Sequence, residues 1–155
     1  MIPEELVEFL HGPMGFILGT RDVRLRPCIS WVSGVKADAA NDEITMYLAD
    51  VYGERPLQNL ADNGMVALTG GHGPAHETFQ FKGEFVESRP SSDQDFAIQE
   101  LYKAKVSAHY DREYGEETRG LFDGLVLGPS TAVRFKVTEI FDQTPGPNAG
   151  SRVEF

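Results

Sequence analysis

Gly53-Glu54-Arg55-Pro56 carries the clearest chemical potential in this chain, because it reads as the opening turn of a short helix. A helix N-terminus exposes unpaired N–H groups, and Arg55 would add a fixed cation beside them, making a grip for an anion such as a phosphate. A first-turn arginine otherwise stands against the helix dipole, which is a physical argument for a ligand. The competing assignment is an exposed arginine paired with Glu54 or Asp62, an arrangement of small energetic weight. An anion grip binds; it does not name a reaction.

Other reactive residue types are sparse. Gly70-Gly71-His72-Gly73 could cradle an anion through backbone N–H groups, but it lacks the lysine and Ser/Thr of a P-loop and reads as a hairpin loop. His72 and His76 stand four apart in that loop with no helix to align them and no third ligand at suitable spacing, so no metal is expected. Cys28 lies in an apolar stretch with no histidine or basic partner evident to lower its pKa, which makes it a small core residue.

The elements that must position these residues can be read from periodicity. Pro3-Glu4-Glu5 followed by Leu6, Phe9 and Leu10 forms an opening helix stopped by Gly12-Pro13. Strands are expected at Met14 to Thr20, Pro27 to Val35 and Glu43 to Asp50, the last alternating Ile44, Met46 and Leu48 against Thr45, Tyr47 and Ala49. The helix from Glu54 to Asn63 closes at Gly64, and Met65 to Thr69 is a buried strand. Thr78 to Glu87 places Phe79, Phe81, Gly83 and Phe85 on one face, and the central glycine marks a bulge or bend. Ser92 and Asp95 form a capping box for a helix reaching about Tyr110, a packing element with a solvated face. A short helix at Glu116 to Leu121 and a strand at Thr131 to Asp142 follow, and the tail from about residue 143 to 155 has too much proline and glycine for regular structure. The expected fold is mainly β, of the α+β kind: a six-stranded antiparallel split β-barrel with peripheral helices, in a single domain over residues 1–155.

Charge and cysteine content exclude several roles. With 14 Lys+Arg against 24 Asp+Glu, the net charge of −10 opposes nucleic acid and anionic membrane surfaces as partners. One cysteine cannot make an internal disulfide, and no basic-apolar leader or membrane-length apolar run is visible, so a soluble, cytoplasmic protein is expected.

Three stretches carry a family resemblance: ILGTRDVRLRP from Ile17 to Pro27, RPLQNLADNGMVAL from Arg55 to Leu68, and QFKGEFVES from Gln80 to Ser88. With the order of elements around them, the chain resembles the pyridoxamine 5'-phosphate oxidase-like FMN-binding split-barrel family over about Pro3 to Ser88 and the closing strand. The resemblance implies a homodimer with FMN between subunits, acting as a flavin-dependent oxidoreductase on a small molecule. It places Arg55 among the residues that hold the flavin phosphate, with Gly53 at the mouth of that helix, and sets Ser30, Tyr47, Thr78 and Gln80 near the flavin. Tyr47, Trp31 and Phe79 would be available to flank its ring, or would serve the barrel core or dimer interface. Pro56 stands where many members have a phosphate-binding lysine, and Ser30 where the oxidase has an arginine. The oxidase's C-terminal arginine and histidine pattern is absent from Thr144 to Phe155, which argues against vitamin B6 oxidation. The two lost cations leave an alternative, a non-catalytic split-barrel dimer that has lost flavin or that binds haem or a deazaflavin.

Overall fold

The apolar alternation of the strands is satisfied by wrapping one antiparallel sheet around a single core. A computed structural model describes residues 1–71, 76–125 and 127–155. The helix α1 (Glu4–Leu10) buries Leu6, Phe9 and Leu10, and its first-turn acids Glu4 and Glu5 face the positive end of the helix dipole. The strands β1 (Gly15–Arg21) and β2 (Pro27–Val32) form a hairpin. Asp22 ties its turn by accepting the N–H groups of Arg24 and Arg26 at 2.9 and 3.0 Å.

The strand expected from Pro27 to Val35 is interrupted at Ser33-Gly34 and resumes as β3 (Val35–Asp38). Gly34 has φ +110°, and a Cβ there would sit 3.0 Å from the Tyr102 Cβ. The break lets one stretch of chain serve two neighbours, because β2 pairs with β1 while β3 pairs with β4 (Glu43–Ala49). Hydrogen bonds from Ser33 N–H to Tyr47 O (2.8 Å) and from Tyr47 N–H to Gly34 O (3.2 Å) join the two ends of the sheet. The remaining order runs through β5 (Met65–Gly71), β6 (Thr78–Pro90) and β7 (Ser130–Asp142), and β7 pairs with β4 to complete the split barrel.

Gly83 is the expected bulge. The β6–β7 register shifts between Lys82 and Gly83, and a Cβ on Gly83 would fall 2.0 Å from the Lys136 carbonyl oxygen, so only glycine permits this approach. Inward residues from every wall, including Phe16, Leu18, Ile44, Met46, Leu68, Phe81 and Phe135, are at most 1% exposed. Phe79 points inward too, its ring 5.0 Å edge-on from Phe9.

Several expectations need correction, beginning with the strand count: the sheet has eight strands and not six, because the strand expected from Pro27 to Val35 splits at Gly34 and the tail adds one more. The central helix, α2 (Asp50–Asn63), begins at Asp50, so Arg55 lies in its second turn and the dipole argument for an anion beside it does not hold. Pro56 looked like a helix-opening residue, yet it sits inside the helix, where it cannot donate to the Tyr52 carbonyl. The Ser30 hydroxyl lies 3.4 Å from that carbonyl oxygen and compensates in part. The tail is not wholly irregular, since β8 (Ser151–Val153) pairs with β7 through Phe141↔Arg152. The short helix expected at Glu116 to Leu121 is a single 3₁₀ turn, Gly115–Thr118, followed by turns.

The helix α3 (Asp93–Tyr114) starts on the expected Ser92–Asp95 capping box. It packs against β3 and reaches β4 and β7 through Asp95 beside Tyr47 and Gln99 on Ser130, whereas α2 packs against β1, β2, β4, β5 and β7 and closes one end of the barrel. Asn59 and Asn63 anchor α2 to β1, donating to Thr20 Oγ1 at 3.0 Å and to Arg21 O at 2.7 Å.

Candidate functional site

Among the described residues no helix lies across the outer face of β1, β5 and β6, and the register there, continued into β2, assembles a row of side chains. Trp31 pairs with Ile17, Ile17 with Thr69, Thr69 with Gln80, and Gln80 with Phe141. Cross-strand partners share a face, so these five residues form a band across the sheet at about 4.8 Å per strand. Its β2 end is apolar and its centre polar, where Gln80 Nε2 donates to Thr69 Oγ1 at 3.2 Å. Thr78 shares this face one row on, paired with Gly71, which in turn pairs with Gly15. The small residues Gly15, Gly19, Ala67 and Gly71 keep the face shallow enough for a flat ligand to approach the backbone.

At the β2 end the band meets the start of α2. Tyr52 is about half exposed, and Arg55, three residues on, lies on the same side of the helix. Arg55 is exposed and makes no ion pair among the described residues, so neither Glu54 nor Asp62 neutralises it. Gly53 is buried within α2, where a Cβ would meet Leu57 and Leu48 in ordinary contact, so it makes no open cradle. The N-terminus of α2 carries Asp50, whose Oδ1 accepts from Thr131 Oγ1 at 3.0 Å; its carboxylate already complements the helix dipole and opposes an anion there.

A cleft of about 600 Å³ opens beside the band, between the β1–β2 pair, α3 and the segment after it. Trp31 and Ile17 form one wall; Tyr102, Val106 and Tyr110 of α3 form another, and Phe122 closes the far side. Sequence reasoning had α3 as a packing helix and missed this wall, although Tyr102, Val106 and Tyr110 continue an i, i+4, i+8 stripe past what packing required.

Tyr47 and Ser30 lie elsewhere than the band. Ser30 faces inward beneath α2. Tyr47 is fully buried under the first turn of α3, facing the Asp95 carboxylate without a hydrogen bond of normal geometry. Burial, then Asp95, pushes the Tyr47 phenol well above its ordinary pKa. The Arg89 guanidinium, 2.6 Å from Asp95 Oδ2, together with Ser92 holds the Asp95 carboxyl well below the usual carboxylate range. Gln99 Nε2 donates to Ser130 Oγ (3.0 Å), which donates to Ser91 Oγ (2.8 Å), completing a polar knot that ties α3 to β6 and β7. Thus Trp31, Thr78 and Gln80 share one outer face, Arg55 sits at its edge, Ser30 and Phe79 face the barrel core, and Tyr47 points outward but is sealed under α3.

His72 and the cradle it was read in lie outside the described residues apart from Gly70 and Gly71. Among the described residues no group of three or more His, Cys, Asp or Glu could hold a metal ion, and no helix is long and apolar enough to cross a membrane.

Residues 2–144 match the family model described as pyridoxamine 5'-phosphate oxidase. No curated protein matches the chain. Among solved structures, an F420 reductase superposes with a TM-score of 0.57 at 15% identity, over 90% of this chain and 98% of its own. HutZ, the haem-storage protein from Vibrio cholerae, gives 0.51 at 19%, over 89% and 92%. An FMN-binding protein from Syntrophomonas wolfei gives 0.53 at 14%, over 88% and 85%. At these identities the likeness is one of fold.

Proposed function

The chain belongs to the pyridoxamine 5'-phosphate oxidase family, and from that premise we propose that it binds FMN on the uncovered sheet face, as a homodimer, and serves as a flavin-dependent oxidoreductase for a small molecule. The observation that carries this reading is the band Trp31–Ile17–Thr69–Gln80, which is flat, uncovered, apolar at one end and hydrogen-bonding at its centre. A tricyclic ring has the same demands, an apolar body with polar atoms along one edge. Thr69, Gln80 and Thr78 supply hydrogen-bonding groups to that edge, and Arg55 at the rim supplies the cation for a phosphate. A bound flavin supplies the redox chemistry, while these residues orient it and set the polarity around it.

The dimer follows from the same face. Ile29 is 74% exposed and Trp31 58%, a concentration of apolar surface that a second copy would cover. Asp50 at the start of α2 and Pro56 in place of a second cation favour weaker phosphate binding, and so keep open the reading of a split barrel that has lost flavin or holds haem or a deazaflavin. For haem, the described residues lining the neighbouring cleft include no histidine, cysteine or methionine, and tyrosine is the one iron-ligand type among them.

The absorption spectrum of the freshly purified protein separates these readings: flavin bands for the first, a Soret band for haem, neither for an empty barrel. Arg55→Ala is expected to weaken FMN binding about ten- to a hundredfold, the worth of one charge-assisted hydrogen bond, with the unfolding midpoint unchanged. A colourless protein with no thermal shift in excess FMN rejects the flavin assignment.

A further inference from the structure

We propose that the cleft beside the band is a separate binding site for a planar, uncharged aromatic molecule of two or three fused rings. In the terms of the flavin reading it is the pocket of the cofactor's reaction partner, and that identification rests on the reading; the binding itself does not.

Shape and chemistry select this class together. At about 600 Å³ the cleft is within the range of small-molecule sites and far larger than a packing gap between side chains. Its walls are dominated by rings: Trp31 from β2, Tyr52 from α2, Tyr102 and Tyr110 from α3, and Phe122 from the segment beyond. Tyr110 and Phe122 are already set edge to face, with centroids 5.0 Å apart, so an inserted ring meets both a face and an edge. Among the described residues none that lines the cleft is charged. A carboxylate or phosphate drawn into such a cleft would lose its hydration without gaining a counter-ion, which selects against anions.

The walls are also held in place without a ligand. The Tyr102 hydroxyl donates to Met14 O at 2.8 Å, and burial raises its pKa, so it stays neutral. Lys103 Nζ donates to Asp123 O at 3.1 Å and to Leu125 O at 3.4 Å, and Thr118 Oγ1 donates to Tyr110 O at 3.0 Å, which fix the segment carrying Phe122 against α3. Leu121, which lines the cleft, is 62% exposed and gives it an apolar rim. Ile17 and Trp31 line the cleft and also end the cross-strand band, so a molecule in the cleft would lie beside one on the band.

The test is calorimetric titration of the purified protein with 2-naphthol and with 2-naphthoate, which share a ring system and differ in charge, each with and without saturating FMN. Saturable one-to-one binding of naphthol at least about tenfold tighter than naphthoate, and undiminished by FMN, is the expected result. Leu121→Arg should weaken naphthol binding about tenfold or more while leaving FMN binding, thermal unfolding and sedimentation as they were, and Leu121→Met should restore it. Equal affinity for naphthoate, loss of naphthol binding in FMN, or no saturable binding overturns the proposal. So does a Leu121→Arg variant that sediments as a smaller species, which would assign the cleft to a contact between copies. Naphthol binding with no FMN binding upholds the cleft and rejects the flavin reading.

Discussion

The barrel has two outer faces built from the same alternating strands and finished in opposite ways. On β3, β4 and β7, α3 lies down and the polar groups beneath its start pair with one another: Arg89 on Asp95, Ser92 on Asp95, Gln99 on Ser130. On β2, β1, β5 and β6, Trp31 and Ile29 stand out from the sheet. A residue's position in an alternating strand therefore says which side it faces, but whether that side is covered depends on an element many residues away. Tyr47 and Trp31 make the point: both are outward aromatic residues, one sealed and one open.

The largest effect should come from the sealed face. Tyr47→Ala removes a fully buried ring and is expected to lower the unfolding free energy by about 3–5 kcal/mol in urea denaturation, and a loss below about 1 kcal/mol would mean α3 is not firmly seated. The open face should respond in assembly and hardly in stability. Ile29→Arg is expected to change the unfolding free energy by less than about 0.5 kcal/mol while, under the proposed dimer, shifting sedimentation to the monomer. An Ile29→Arg variant that unfolds early would erase the contrast between the faces.

The smallest effect is a pH dependence confined to the sealed face. Asp95 has a folded pKa below its ordinary value, so the unfolded chain takes up its proton first as the pH falls. The stability contributed by Asp95 is complete above about pH 4, and it is lost progressively as the pH falls through the unfolded and then the folded pKa. Thermal melts of Asp95→Asn should show a shallower loss of stability below about pH 4 than those of the unchanged protein; parallel curves would assign the acid sensitivity to other carboxylates.

Local signals were legible where local physics decides. The Ser92–Asp95 capping box, the alternation of Glu43 to Ala49 and the bulge at Gly83 all stand as read, since each depends on neighbours in sequence or on a residue without a side chain. The start of α2 was misplaced because Pro56 resembles a helix opener, and its tolerance depends on a hydroxyl from Ser30, far off in the chain. The break at Gly34 was hidden for the same reason: it exists to admit Tyr102 and to let one segment face two strands. Arg55, Thr78 and Gln80 could be named from the resemblance, yet only the register shows Gln80 level with Trp31. The aromatic cleft draws Trp31, Tyr52, Tyr110 and Phe122 from separate elements, and no spacing in sequence announces it.

The strand β7 lies between β6 and β4, and its pairing of Lys136 with Glu43 joins the fourth strand of the chain to the seventh across two intervening strands and two helices. The hairpins β1–β2, β3–β4 and β5–β6 need only short loops to form, but closing the barrel must gather most of the chain first. On the ribosome, the edges of β4 and β6 therefore stay open until β7 has emerged, and during that interval they are free to pair with a neighbouring nascent chain. Folding of this protein is a race whose deciding strand is translated after the six strands it must close.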